Sequence, residues 1–187
     1  MNRLISQVLL VVGAAVTFSW LVGFEALLSV GSTVTMKPST SIAFVMLGLA
    51  GWSATEAVPS SERLRTILPL VLGMVLVPLA GLLGYLPSQI DHALHSNGPG
   101  IPSLGTMACF TLCGLKYLSG AAGLRALSVW SSLVSVIIAA VALVGYALQE
   151  PALFYWWEGL STGMAVHTAI LLFVEGVNTR SVSRMRT

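Results

Sequence analysis

The chain has 187 residues, of which 56% are hydrophobic and only 9% charged, for a net charge of +2. Soluble domains carry roughly 25% charged residues, so a mean hydropathy of +0.88 excludes a water-soluble globule. Backbone groups in hydrocarbon can be satisfied by helices or by a closed barrel, and the barrel's apolar–polar alternation is absent, so an all-α membrane protein is expected.

Apolar runs of about 20 residues span a bilayer as helices. Six such runs are predicted, at about 4–30, 39–57, 65–86, 103–121, 124–148 and 160–178. The first is too long for a signal h-region and lacks a small-x-small cleavage site, so it reads as a retained span. Basic residues sort by side. Arg3, Arg63, Arg65, Lys116, Arg125, Arg180, Arg184 and Arg186 fall on one face of a six-span chain, and Lys37 on the other. The positive-inside rule then places both termini in the cytoplasm. Residues 1–179 form one membrane domain, and 180–187 a basic cytoplasmic tail. Trp156 and Trp157 suit an interfacial belt on the outer side, with Trp52 and Trp130 doing the same near the cytoplasm.

Internal repeats come next. Gly23, Gly84 and Gly145 close the odd spans at intervals of 61 residues, and Thr40, Thr106 and Thr168 open the even ones at intervals of 66 and 62. Gly48, Gly114 and Gly176 each stand eight residues after their threonine. The chain thus reads as three helix hairpins, about 4–57, 65–121 and 124–178. Parallel repeats are related by an axis along the membrane normal, so a pseudo-threefold bundle is expected. Its small residues allow close helix approach where lipid gives no hydrophobic drive to associate.

Candidate site residues concentrate in the third copy, around Met164, His167 and Thr168. Only there does a histidine precede the repeated threonine. An ionisable group at membrane depth is a functional-site hypothesis by default. His167 is expected about five residues into the last helix, roughly 8 Å below its start at 1.5 Å per residue. There the imidazole could ligate heme iron or a metal, donate to a quinone, or bond a neighbouring carbonyl as a packing residue. Ser39, Ser103 and Ser161–Thr162 are the expected caps of the even spans; three helix N-termini together favour an acceptor group. Met36, Met107 and Met164 could add thioether ligands or simply fill the core. His92 and His95 would share a helical face if residues 88–95 form a short helix, with Asp91 a candidate third ligand, but a zinc or copper site needs more ligands than these, and a solvated loop is the alternative. Glu175 is expected near the cytoplasmic interface, snorkelling or paired with Arg180, and Glu25 near the outer one. Cys109 and Cys113 are read as packing residues, since four positions along a helix aim two thiols poorly for a disulfide. There is no phosphate-binding loop, no nucleophile with a base and no paired intramembrane carboxylates, so no enzymatic activity is expected.

The repeated Met-x-x-x-Thr-x3-Phe/Leu-x3-Gly pattern, with histidine before the last threonine, resembles the multi-pass input regions of certain bacterial signalling proteins. Those regions precede PAS, histidine-kinase or diguanylate-cyclase modules. The resemblance covers roughly residues 4–178 and implies a sensory or regulatory domain of the bacterial inner membrane. The cofactor is left open between heme b and a metal, and the implied partners are the lipid bilayer and a cytoplasmic signalling module, with a homodimer also open and nucleic acid not expected. A weaker likeness links the chain to repeat sensors bearing Met-His-Tyr-Thr. There the histidine directly follows methionine, whereas here it stands three residues on, so that family's copper ligands are not carried over. An accessory or cofactor-binding subunit of a larger membrane complex is the alternative, and a small transporter is disfavoured by the unbroken spans.

Overall fold

A computed structural model describes residues 2–24, 34–56, 59–82, 102–155 and 163–178. These residues form α-helices and no strands: α1 (Asn2–Val22), α2 (Pro38–Ser53), α3 (Ser60–Leu82), α4 (Leu104–Ala121), α5 (Arg125–Leu148), α6 (Ala152–Tyr155) and α7 (Val166–Val177).

Three of these helices stop in the same way. Gly23 (φ 72°), Gly123 (φ 78°) and Gln149 (φ 56°) turn left-handed just past α1, α4 and α5. The next amide in each case reaches back: Phe24 N–H to the Ser19 carbonyl at 2.9 Å, Leu124 to Ser119 at 2.8 Å, Glu150 to Gly145 at 2.8 Å. This backbone closure satisfies carbonyls that the helix leaves unpaired at its end. It also corrects the first predicted boundary. The apolar composition runs on to residue 30, but Gly23 ends α1 eight residues earlier than expected.

The starts of α2, α4 and α7 share a register. Each begins two residues before its repeated threonine, at Pro38, Leu104 and Val166. At α2 Pro38 occupies the first helical position, where its missing N–H costs nothing and its fixed φ suits the helix. At α4 the Ser103 side chain caps, accepting from Thr106 N–H at 3.0 Å. Ser39 is not a cap as predicted, because it lies inside α2; the cap position is Lys37, whose side chain makes no capping bond. At α7 the cap position is Ala165, and Ser161 and Thr162 lie outside the described residues.

The helices follow one another around a ring. α1 packs on α2, α2 on α3, α3 on α4, α4 on α5, α5 on α7, and α7 touches α1. α2 and α4 also meet directly, as do α4 and α7. The glycines explain the closest approaches. A Cβ at Gly48 would stand 2.8 Å from the backbone of both Ser6 and Leu10 on α1, one at Gly114 would meet Val71 and Met74 on α3, and one at Gly176 would meet Ser132 and Val136 on α5. Each of the three therefore receives the long helix that precedes it. Four residues after each threonine, Phe44, Phe110 and Leu172 are all fully buried. The two phenylalanine rings meet edge to face, with centroids 5.0 Å apart at 70°.

Three helices, over Arg3–Val22, Ser60–Ala80 and Arg125–Leu148, are long and apolar enough to cross a membrane. Their outward faces carry Phe18, Leu21, Leu72, Leu76, Trp130, Ile137 and Leu148, all well exposed. An apolar surface on this scale does not stay in water; it suits a lipid environment. α7 is apolar but only 12 residues long, shorter than the predicted span of 160–178.

Candidate functional site

Two polar regions interrupt the apolar interior. The first lies where α2, α4 and α7 begin. Backbone carbonyls just before two of these helices are held by aromatic side chains from the long helices. Trp20 Nε1–H donates to the Met36 carbonyl at 2.9 Å, and Tyr146 O–H to the Met164 carbonyl at 2.7 Å. Met164 N–H donates in turn to the Phe154 carbonyl at 2.9 Å. Both backbone groups of Met164 are thus committed while the chain is still extended, which delays the start of α7 to Val166. The Phe154 ring stacks on Tyr146 at 4.2 Å and fills the space left by Gly145 and Gly163. Met164 is itself buried, as is Thr168.

His167 is consequently the second residue of α7, not five residues into it. Its two ring nitrogens are both shielded from solvent and have no hydrogen-bond partner. An imidazole carries one N–H donor and one acceptor nitrogen when neutral, so both capacities are open. Lys37, the cap position of α2, is 3% exposed; its burial pulls the ammonium below its usual value of 10.5. No group of three or more His, Cys, Asp or Glu side chains able to hold a metal occurs among the described residues. Asp91, His92, His95 and Glu25 lie outside them.

The second region lies near the other end of α7 and was not expected from the sequence. Lys116 and Glu175 are both fully buried and form an ion pair at 2.9 Å between Nζ and Oε1. The same ammonium donates to the Glu175 backbone carbonyl at 2.8 Å. Tyr117 O–H donates to Glu175 Oε1 at 2.6 Å. Glu175 is therefore buried rather than reaching outward, and its ion-pair partner among the described residues is Lys116; Arg180 lies outside them. Lys116 lies within α4 and not in the turn after it. It belongs to the helix face that also carries Cys109, Cys113, Tyr117 and Gly120, all buried.

A row of serines on α5 completes the surroundings. Ser128 donates to the Lys116 carbonyl at 2.9 Å and Ser132 to the Gly176 carbonyl at 2.6 Å. Ser135 lies beside both thiols: Cys109 Sγ is 3.7 Å from its carbonyl and Cys113 Sγ 3.8 Å from its Oγ. Both cysteines are free. On the far side, Tyr117 O–H occupies space that a side chain at Gly51 would take, since a Cβ there would lie 2.8 Å from it. The local signal for this cluster is limited to one respect: Lys116 and Glu175 both stand within predicted spans. The pairing itself has no local signal, because the partners come from different helices, 59 residues apart in the chain.

Taking two charges out of water is expensive, and their attraction repays it only when the remaining lone pairs and protons are also satisfied. Here the account is uneven. Oε1 accepts two bonds, and Glu175 Oε2 is buried with none. Comparison with protein-family models, with curated proteins and with solved structures returns no match for this chain.

Proposed function

We propose that the chain is a sensory or regulatory domain of the bacterial inner membrane, built of six spans as three hairpins about a pseudo-threefold axis, with both termini cytoplasmic. The shared register of α2, α4 and α7, and the three glycines each facing the long helix of its own hairpin, support that arrangement. The proposed ligand site is at the outer ends of these helices, with His167 as its centre and Met164 and Thr168 beside it. One observation carries this reading: both ring nitrogens of His167 are buried and unpartnered at the start of α7. A metal, a heme or a small molecule with polar groups would engage them. The cofactor-binding subunit of a larger complex remains the competing role for the same site.

The experiment is a thermal-unfolding screen of the detergent-purified chain with hemin, zinc, copper and a short-chain quinone, alongside His167→Ala. A ligand that binds the folded state alone raises its stability by mass action, about 2.7 kcal/mol at a hundred times Kd. The expected result is stabilisation by one of these probes that disappears in His167→Ala. If none stabilises the wild-type chain, or if the shift survives the substitution, the site is not at His167.

A further inference from the structure

The outer site leaves the Lys116–Glu175–Tyr117 cluster unexplained. We propose that Glu175 is a proton-binding site, loaded on Oε2 from the cytoplasmic end of α7. Oε1 is filled by Lys116 and Tyr117, whereas Oε2 is fully buried and receives no donor. Three residues on, Asn178 Oδ1 is also buried without a partner. Asn178 is the C-cap of α7, and its N–H donates to the Glu175 carbonyl at 3.2 Å, so a second open acceptor stands at the end of the helix that carries Glu175. Two such acceptors suit small donors, water and the proton it carries, better than a second cation. The cluster already holds one ammonium, which repels another.

The loading step balances simply. A hydronium ion releases its proton to Glu175 Oε2 and is left as water; an O–H bond forms there and no protein bond breaks. The carboxylate becomes a neutral acid, and the cluster passes from net zero to one positive charge. Lys116 is not orphaned by this change. Its Nζ keeps the bond to the Glu175 carbonyl at 2.8 Å, in the last turn of α7, where the helix dipole favours a cation. The ion pair between α4 and α7 weakens to an ordinary hydrogen bond.

Other titratable groups near Glu175 are few. α4 offers Cys113, Lys116 and Tyr117. α5 contributes serine hydroxyls, its titratable residues Arg125 and Tyr146 lying near its two ends. On α1, Arg3 is engaged with α2 and its end, donating to Thr55 at 3.2 Å and lying over Trp52.

The test is an infrared pH titration of the full chain in lipid nanodiscs. A protonated carboxyl band that grows on acidification and shifts in D2O is expected, absent in Glu175→Gln and moved in frequency in Tyr117→Phe, which removes one donor from Oε1. Asn178→Leu should slow its exchange with D2O several-fold. A carboxyl band that Glu175→Gln leaves in place, or no such band at all, overturns the proposal. If Glu175→Gln does not fold, a band unmoved in folded Glu175→Asp and Tyr117→Phe overturns it equally. An exchange rate unchanged in Asn178→Leu overturns the cytoplasmic route.

Discussion

The two junctions that α4 makes with its neighbouring inner helices are built on opposite principles. Towards α2 the contact is apolar, centred on the Phe44–Phe110 ring pair at 5.0 Å. Towards α7 it is charged, centred on Lys116 and Glu175 at 2.9 Å. The positions correspond when counted from Thr40, Thr106 and Thr168. Seven residues on stand Leu47, Cys113 and Glu175; ten and eleven residues on, α2 has Ala50 and Gly51 where α4 has Lys116 and Tyr117. Few substitutions thus separate a dry junction from a polar one on a common backbone. Since lipid tails give helices no hydrophobic reason to associate, the first junction depends on fit and the second on hydrogen bonding.

The largest test of that contrast is Lys116→Met. It leaves Glu175 buried with Tyr117 as its one remaining side-chain donor, and removing one member of a buried pair costs about 3–5 kcal/mol. The double change Lys116→Met with Glu175→Met should recover most of this, because two apolar side chains leave no charge uncompensated. Denaturant unfolding in detergent measures both. A double variant as unstable as the single one would mean that the junction needs its charges for shape and not for mutual compensation.

Gly48→Ala is expected to be next, at about 1–3 kcal/mol for an overpacked contact. Its new methyl meets backbone atoms of α1 on two residues, and backbone cannot step aside. Gly114→Ala meets side chains of Val71 and Met74 instead, so its cost should be lower in the same assay. An equal or reversed order would show that fit between these helix pairs is looser than the distances imply. Phe44→Leu is the mildest. It forfeits the edge-to-face term of about 0.5–1.5 kcal/mol, plus a smaller loss of contact, and it should leave the ion pair at the other junction untouched. A lowered stability in Phe44→Leu that vanishes in the Lys116–Glu175 double variant would tie the two junctions together.

Much of the scaffold is legible in the residues. The threonine register locates the starts of α2, α4 and α7, Ser103 is recognisable as a cap, and α5 at Arg125–Leu148 lies within one residue of its predicted span. The misreadings have definite causes. Hydropathy overran Gly23 because an apolar stretch does not reveal a left-handed residue. It also began the last span too early, because residues 163–165 are apolar yet extended, with Met164 bonded at both backbone groups. That error placed His167 too deep. α6 has four residues, too few for any periodicity to register. Lys116 falls inside its predicted span, yet its charge reads only as a mark of the cytoplasmic side, because lysines usually belong to the water side of a span. Its buried position depends on a carboxylate whose location only tertiary packing reveals.

Fifty-nine residues separate Lys116 from Glu175, and this distance sets an order of events during synthesis. The ribosome completes α4 well before α7 exists, so the lysine waits without its anion. Lys116 lies five residues before the end of α4 at Ala121, close enough for its long side chain to reach the headgroup boundary in the meantime. Arrival of α7 draws that ammonium inward. A nascent chain stalled before α7 is therefore expected to expose Lys116 to amine-reactive reagents, and the finished protein to hide it.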